Sequence, residues 1–518
     1  MTTPAHPPAP AGSSRPPGGD LTDALRGTST WTDAMLAEAG IPVTDVPIVS
    51  VGGGFGSFVL ADHLRVAGMP TSAMRVVSPL QRPYDQYRYL AACSQIPDDS
   101  RLRSDSASCP DNLWGFPSYA LREAWERRSL GPVLGVTTEP VLADYFTPQA
   151  GQVYRTTDKE ARRIGWGEML LPGRVRMVRK RRDGGYFVLA TPPAGSTPTR
   201  RVALRARWVH LSVGYPGVKF LDDLQDYRQR TDDFHRVVNA YEPHDHVYET
   251  LAGRGGTLLL RGSGIVGSRV LQRVLDDVEQ RGARTRVIHL FRTYRDRTTG
   301  PPTFRRESAN GFSYQAFNYP KAAWGGTLRE RLLRLDGPQR ADLIGAMGGT
   351  NTPHRKHWDE QLDRARRHGV YQAAIGLVDS VEDGGQQGVL TTIRTPDGGL
   401  APLPADFVVD ATGLESDISS SQLLADLLQH TGAARNPLRR LDVSGSFELT
   451  GCRSGEGRMY ASGSITLGGP YAPVDSFLGL QYSALQILDE LSAQGFVPRF
   501  GALRSVSQWV RWARGVAP

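Results

Sequence analysis

Cysteine is almost missing from this chain: Cys93, Cys109 and Cys452 are the only three in 518 residues. They form no CxxC pair and no disulfide framework, which argues against a zinc or iron–sulfur site and for a reducing compartment. Long apolar runs are lacking too. No stretch is apolar enough to cross a bilayer, and no charged-then-apolar leader opens the sequence, so a cytoplasmic, membrane-free protein is expected. Acidic residues are the minority, 53 against 61 Lys and Arg, giving a formal charge of +8. The arginines are spread along the chain. The densest run, Arg179-Lys-Arg-Arg182, is followed directly by Gly184-Gly-Tyr-Phe187 and reads as one hairpin turn rather than a nucleic-acid patch. A histidine set (His235, His244, His246) lies in a polar linker without a cysteine or a well-spaced acid, so no metal is expected. No Ser/His/Asp set stands at a strand-to-helix elbow, and no catalytic side chain is assigned.

What the chain does have is glycine in informative places. Pro47-Ile-Val-Ser-Val51 is β-branched and feeds Gly52-Gly-Gly54-Phe-Gly56-Ser57, after which an apolar helical pattern runs to about Gly68. Strand, tight turn and helix N-terminus in that order place diphosphate oxygens on backbone N–H groups at the positive end of a helix dipole. Gly52 turns the chain and Gly54 lets the backbone approach the phosphates. The third fingerprint position is Ser57 rather than Gly or Ala. The second strand, Ala73–Val77, ends in Ser78 where an acid often meets the ribose.

A second fingerprint follows Thr257-Leu-Leu-Leu-Arg261. Gly262-Ser263-Gly264-Ile-Val-Gly267 keeps all three glycines and opens an amphipathic helix. The next strand, Val287–Leu290, ends in Phe291-Arg292 instead of an acid. Arginine there suits the 2′-phosphate of NADP, because a guanidinium forks a phosphate that a carboxylate would repel. An ordinary exposed arginine cluster would look the same. Each loop is also associated with a meander ending in a buried strand and glycine: Val175–Val213 with Gly214, then Leu377–Thr412 with Gly413. This repetition predicts two related units.

The expected fold is therefore α/β, with two Rossmann-like, three-layer dinucleotide-binding domains, the NADP domain inserted in the FAD domain. Residues 1–19 read as a disordered tail and 20–45 as a helical brace. Residues 46–245 and 400–495 are assigned to the FAD domain and 250–399 to the NAD(P) domain. Within the latter, 304–360 is a substrate-covering segment, and 496–518 is a C-terminal tail. Expected cofactor contacts are Gly52, Gly54, Gly56, Ser57, Ser78, Thr412, Gly413 and Gly463 for FAD, with Gly262, Ser263, Gly264, Gly267 and Arg292 for NADP. Gln81–Trp125 is rich in aromatics, which either cover a ligand or anchor a long loop.

With these residues the sequence resembles the two-dinucleotide flavoproteins, most nearly the lysine/ornithine N-monooxygenases, over roughly Pro47 to Gly495. Further echoes are Pro110, Trp114, Phe116 and Tyr119 in a proline–aromatic segment, His244-Asp-His-Val-Tyr248, Phe312–Pro320 and Thr350-Asn351. The resemblance implies that NADPH reduces FAD and that oxygen, activated at the flavin, passes to a nucleophilic nitrogen or sulfur of a small molecule. A free lysine-type amine titrates near about 10.4, so the pocket must desolvate it. Implied substrate contacts are Arg103, Gln315, Asn318, Lys321 and Asn351. A family lysine before the proline–aromatic segment is missing; Leu102 stands near that register between Arg101 and Arg103. A flavin dehydrogenase or reductase and a turnover-free nucleotide-binding regulator remain alternatives, and a homo-oligomer is compatible with all three.

Overall fold

The structure is a computed structural model, and it describes residues 19–102, 107–142, 146–296, 308–313, 327–347 and 356–518. The expected tail lies outside these residues except for Gly19.

Of three five-stranded sheets among the described residues, the two all-parallel ones organise the chain. In chain order their strands are β1 (Ile48–Val51), β2 (Met74–Ser78), β3 (Leu170–Pro172), β4 (Trp208–Leu211), β5 (Val237–Asn239), β6 (Gly256–Arg261), β7 (Thr285–Phe291), β8 (Tyr371–Ile375), β9 (Phe407–Asp410) and β10 (Arg458–Ala461). The first sheet runs β10-β4-β1-β2-β3 and the second β5-β9-β6-β7-β8, every pair parallel. In both, the strand that feeds a glycine loop is central. β1, β4 and β9 are buried at every residue, as parallel strands covered on both faces must be, and their uninterrupted apolar lettering follows from that. All strands of the second sheet fall between β4 and β10, so the second domain is inserted in the first.

Two boundaries are corrected. The sequence reading carried the first part of the FAD domain to 245, but β5 pairs with β9 in the second sheet. The sequence reading gave the run from Asp406, with Thr412 and Gly413, to the first domain. Its strand β9 instead pairs with β5 and β6 in the second sheet. A strand apolar on both faces fits the centre of either sheet, and only its hydrogen-bonded partners decide between them. The chain returns to the first sheet with β10.

The repeated meander is present. Arg174–Arg181, Tyr186–Thr191 and Val202–Ala206 pair antiparallel and lead into β4; Leu377–Asp383, Val389–Arg394 and Leu400–Ala405 do the same before β9. The first meander is widened by Thr30–Trp31 and Val43–Asp45. The 20–45 brace is thus two short helices plus two edge strands, and Leu25, Trp31, Leu36 and Ile41 pack on Phe187, Leu189 and Ala203. Arg179, fully buried, is held by Asp426 at 2.5 and 2.8 Å. Lys180 and Arg181 also bond internally, so the basic run serves the fold.

Four helices matter for the site: α1 (Phe55–Val66), α2 (Ile265–Arg281), α3 (Phe477–Ala493) and α4 (Ala502–Ala513). Residues 496–518, expected as a tail, contain α4. Its Trp512 indole donates to the Asp111 carbonyl at 3.1 Å, and Trp509 and Trp512 pack on Phe116. Tryptophans one turn apart on the same helix face are a docking stripe rather than a loose end. Of the expected substrate-covering segment, the helices Thr327–Arg334 and Gly337–Met347 put Leu328, Leu332 and Ile344 into the first domain's core, while Trp358 packs in the second. The segment therefore bridges the two domains. The connectors also meet: Val218 and Leu414 form an antiparallel bridge, and the buried Asp410 carboxylate accepts from Leu221 N–H at 2.9 Å.

Candidate functional site

Both glycine loops end in the same local geometry. Gly54 caps α1 at φ −81°, ψ −174°, and Gly264 caps α2 at φ −80°, ψ −172°; neither cap has a side-chain hydrogen bond. A Cβ on either would meet nothing within 4 Å. The first N–H groups of each helix have no intrahelical partner and carry the positive end of its dipole, which suits an anion.

Gly52 (φ 96°) and Gly262 (φ 114°) make the turns. A side chain on Gly52 would collide with the Ser212 carbonyl oxygen, and one on Gly262 with the Ala411 carbonyl oxygen. Each loop is thus wedged against the strand exit of the neighbour its meander feeds. These cradles fit the diphosphates of two dinucleotides.

The surroundings differ. In the first sheet Ser57 is completely buried, and Ser50 Oγ donates to its Oγ at 2.8 Å. His210 on β4 lies 2.8 Å from Ser50 Oγ through Nδ1 and 2.8 Å from Ser462 Oγ through Nε2. With Ser50 donating to Ser57, the consistent tautomer carries the proton on Nδ1, and Ser462 donates to Nε2. Desolvation pushes His210 down to about 3, so it is neutral near pH 7. Gly56 closes against this group: a Cβ there would collide with Ser212 Oγ. Ser78 Oγ accepts from Leu80 N–H at 3.0 Å, and a Cβ on Gly53 would press on it at 2.5 Å. Gly463 turns the chain just after β10 at φ 81°.

In the second sheet a single histidine does this work. His289 Nε2 donates to the Gly262 carbonyl at 2.9 Å while Nδ1 faces Tyr371 Oη at 3.2 Å, and burial lowers its pKa to about 4. A Cβ on Gly267 would strike the Gly262 carbonyl. Ser263 lies in the loop and Arg292 is exposed directly after β7, the strand beside β6. Thr412 N–H and Oγ1 both donate to Asp410 Oδ1, at 2.9 and 2.6 Å, shaping the exit of β9 next to Gly262.

A second helix end joins the first loop. The rings of Phe55 and Phe477, first residues of α1 and α3, meet edge-on at 5.1 Å, so the two N-termini lie side by side. Tyr87 covers both at 5.6 and 5.8 Å. Of the aromatic-rich insertion, Tyr84 stacks on Tyr154 and Trp114 packs on Trp512, which anchors the loop, whereas Tyr87 stands at the paired helix ends.

The structure brings the glycine-loop residues together at the carboxyl ends of the two sheets, where ligands bind in open α/β folds. Arg103, Gln315, Asn318, Lys321 and Asn351 lie outside the described residues. Sequence reasoning missed His210, His289 and the α3 N-terminus. The signal was a lone histidine in the middle of two otherwise apolar strands, Trp208-Val-His-Leu211 and Val287-Ile-His-Leu290. A buried polar residue there has to be bonded to something.

No protein-family model matches the chain, and no curated protein matches it. Solved structures do. A cadaverine monooxygenase of desferrioxamine biosynthesis from Erwinia amylovora, bound to FAD, aligns at TM-score 0.64 and 14% identity, over 88% of this chain and 96% of that one. An ornithine N-hydroxylase from Kutzneria sp. 744, with reduced FAD, NADP+ and L-ornithine, aligns at 0.60 and 12%, over 87% and 100%. A bacillithiol disulfide reductase from Staphylococcus aureus aligns at 0.51 and 11%, over 87% and 99%. The resemblance to two-dinucleotide flavoproteins holds at the level of the fold.

Proposed function

We propose that the chain is an FAD- and NADPH-dependent oxidoreductase, and within that class a monooxygenase that hydroxylates a nitrogen of a small molecule. The observation that carries this reading is the pair of uncapped glycine-loop helices on two parallel sheets, one domain nested in the other. Gly52, Gly54, Gly56, Ser57, Ser78 and Gly463 would hold FAD. Gly262, Ser263, Gly264, Gly267 and Arg292 would hold NADPH, with Thr412 and Gly413 now at the rim of this second site. When bound, the two cofactors supply hydride transfer and oxygen activation. The protein's part is to bind and orient. Helix N-termini neutralise the diphosphates, Arg292 meets the 2′-phosphate, and Arg103, Gln315, Asn318, Lys321 and Asn351 position an amine in its neutral form.

The N-hydroxylating neighbours support the finer reading, at fold level. The likeness to a reductase supports the alternative, a flavin reductase that does not activate oxygen. All three cysteines are buried and free, so such a reductase would pass electrons to an acceptor other than a disulfide of its own. The test is NADPH oxidation by the FAD-loaded protein over a panel of amines, with oxygen uptake followed in parallel. Amine-stimulated turnover with stoichiometric oxygen uptake is expected; turnover that persists unchanged without oxygen favours the reductase. A colourless protein that takes up no FAD favours the regulator.

A further inference from the structure

Three arginines are buried among the described residues: Arg163, Arg179 and Arg440. Arg163 is paired with Glu160 and Arg179 with Asp426. Arg440 is 6% exposed, and among the described residues its guanidinium donates only to carbonyl oxygens. Its Nε donates to the Ser464 carbonyl at 3.3 Å, and Nη1 reaches the Leu438 carbonyl at 3.5 Å. Nη2 has no partner among the described residues. The acids around it are engaged elsewhere. Asp475 accepts from Tyr215 Oη at 2.9 Å, Asp417 pairs with Arg439 at 2.5 Å, and Glu415 accepts from two backbone N–H groups. A buried charge costs several kcal/mol unless something compensates it. Glu415, Asp417, Asp475 and Tyr215 act on this guanidinium from a distance, but among the described residues none of them bonds its Nη2, which leaves that edge for an anion.

Its position says which anion. Ser464 follows Gly463 at the exit of β10, Tyr215 follows Gly214 at the exit of β4, and Asp475 precedes the N-cap Ser476 of α3. β10 lies two strands from β1, about 10 Å at the usual strand spacing, on the same carboxyl edge as the Gly52 loop. A dinucleotide whose diphosphate rests on α1 extends along that edge, away from the phosphate cradle. A flavin ring that takes up a hydride gains one negative charge. We infer that Arg440 is the electrostatic partner of the flavin ring in the first site, its free guanidinium edge favouring the reduced, anionic form over the oxidised, neutral one. This rests on the FAD reading given above.

The test uses the full-length protein with FAD and compares wild type, Arg440→Gln and Arg440→Lys by spectroelectrochemical titration and by FAD binding. Losing a charge-assisted contact of about 1.5 kcal/mol should weaken binding of reduced relative to oxidised FAD about tenfold. For a two-electron couple that is a midpoint about 30 mV more negative in Arg440→Gln, with most of it restored in Arg440→Lys. If Arg440→Gln does not fold by circular dichroism, Arg440→Met, similar in buried volume, is read the same way. Equal midpoints in FAD-loaded wild type and Gln variant overturn the inference alone. Unchanged midpoints with a tenfold loss of apparent affinity only for amines bearing a carboxylate overturn the flavin assignment in favour of a substrate anion. A wild-type protein that binds no FAD overturns this inference and the cofactor reading together.

Discussion

The two glycine loops have the same backbone and different foundations. Gly54 and Gly264 cap their helices within a few degrees of one another, and Gly52 and Gly262 are each pinned under the exit of the adjacent strand. Beneath the first loop lies a relay of Ser57, Ser50, His210 and Ser462 that ties α1 to β1, β4 and the exit of β10. Beneath the second is one bond from His289 to the Gly262 carbonyl. The backbone geometry is what a bound diphosphate would read, and it is the same in both loops. The support can vary as long as every buried polar group is satisfied. Ser57, which departs from the fingerprint, is accommodated because Ser50 donates to it, whereas the corresponding Gly267 has a carbonyl in the way of any Cβ.

The sharpest way to separate the loops is to break their turns. A left-handed alanine costs about 1–2 kcal/mol, and collision with a carbonyl adds about 1–3 kcal/mol. Gly52→Ala is therefore expected to lose FAD by flavin absorbance after desalting. Gly262→Ala should keep FAD and lose NADPH affinity by about two orders of magnitude. Loss of flavin from both variants would refute the assignment of separate cofactors to the two loops.

Acid should test the foundations. His210 and His289 have folded pKa values lowered to about 3 and about 4 from an ordinary 6.5, and buried His63 is lowered to about 4. A lowered folded pKa means the unfolded chain binds more protons, so this stability is whole above pH 6.5 and falls as the pH drops toward 4. Each histidine contributes a slope of up to about 1.4 kcal/mol per pH unit. Asp111, raised to about 6 by burial, opposes this below its own pKa. Thermal melts of His210→Asn against wild type should converge as pH falls from 6.5 to 4; a constant gap would mean that His210 is not held neutral.

Exchanging the third loop residue probes the asymmetry directly. Gly267→Ser is expected to destabilise by about 2 kcal/mol through overpacking and to weaken NADPH binding. Ser57→Gly should cost about 1 kcal/mol, the hydrogen bond it shares with Ser50. Equal melting-temperature losses would show that the relay carries no weight. At Arg292, Ala should raise KM for NADPH about tenfold, a loss of about 1.4 kcal/mol, and leave KM for NADH alone. An equal change for both coenzymes would dismiss the 2′-phosphate contact.

Much of the fold was legible in the letters. Strand–glycine–helix occurs twice with different residues but the same order, and each meander announces a buried strand ending in glycine. What could not be read was membership. Phe407–Asp410 is apolar on both faces, so nothing local says which sheet it joins, and the sequence reading put it in the wrong one. The helices Thr327–Arg334 and Gly337–Met347 lie in sequence within the second domain and pack Leu328, Leu332 and Ile344 into the first. Arg440 carries no motif at all. Its interest comes from a guanidinium edge that bonds nothing among the described residues, and that cannot be seen in one dimension.

The sequence by itself determined that the chain makes two dinucleotide-type units with glycine loops at helix starts, because backbone sterics and helix dipoles act over a few neighbouring residues. Tertiary structure alone decided that α1 and α3 bring their N-termini together, that two buried histidines support the loops, and that one buried arginine bonds no carboxylate among the described residues. Each depends on segments far apart in the chain meeting at the carboxyl edge of a sheet, which local chemistry permits but does not specify.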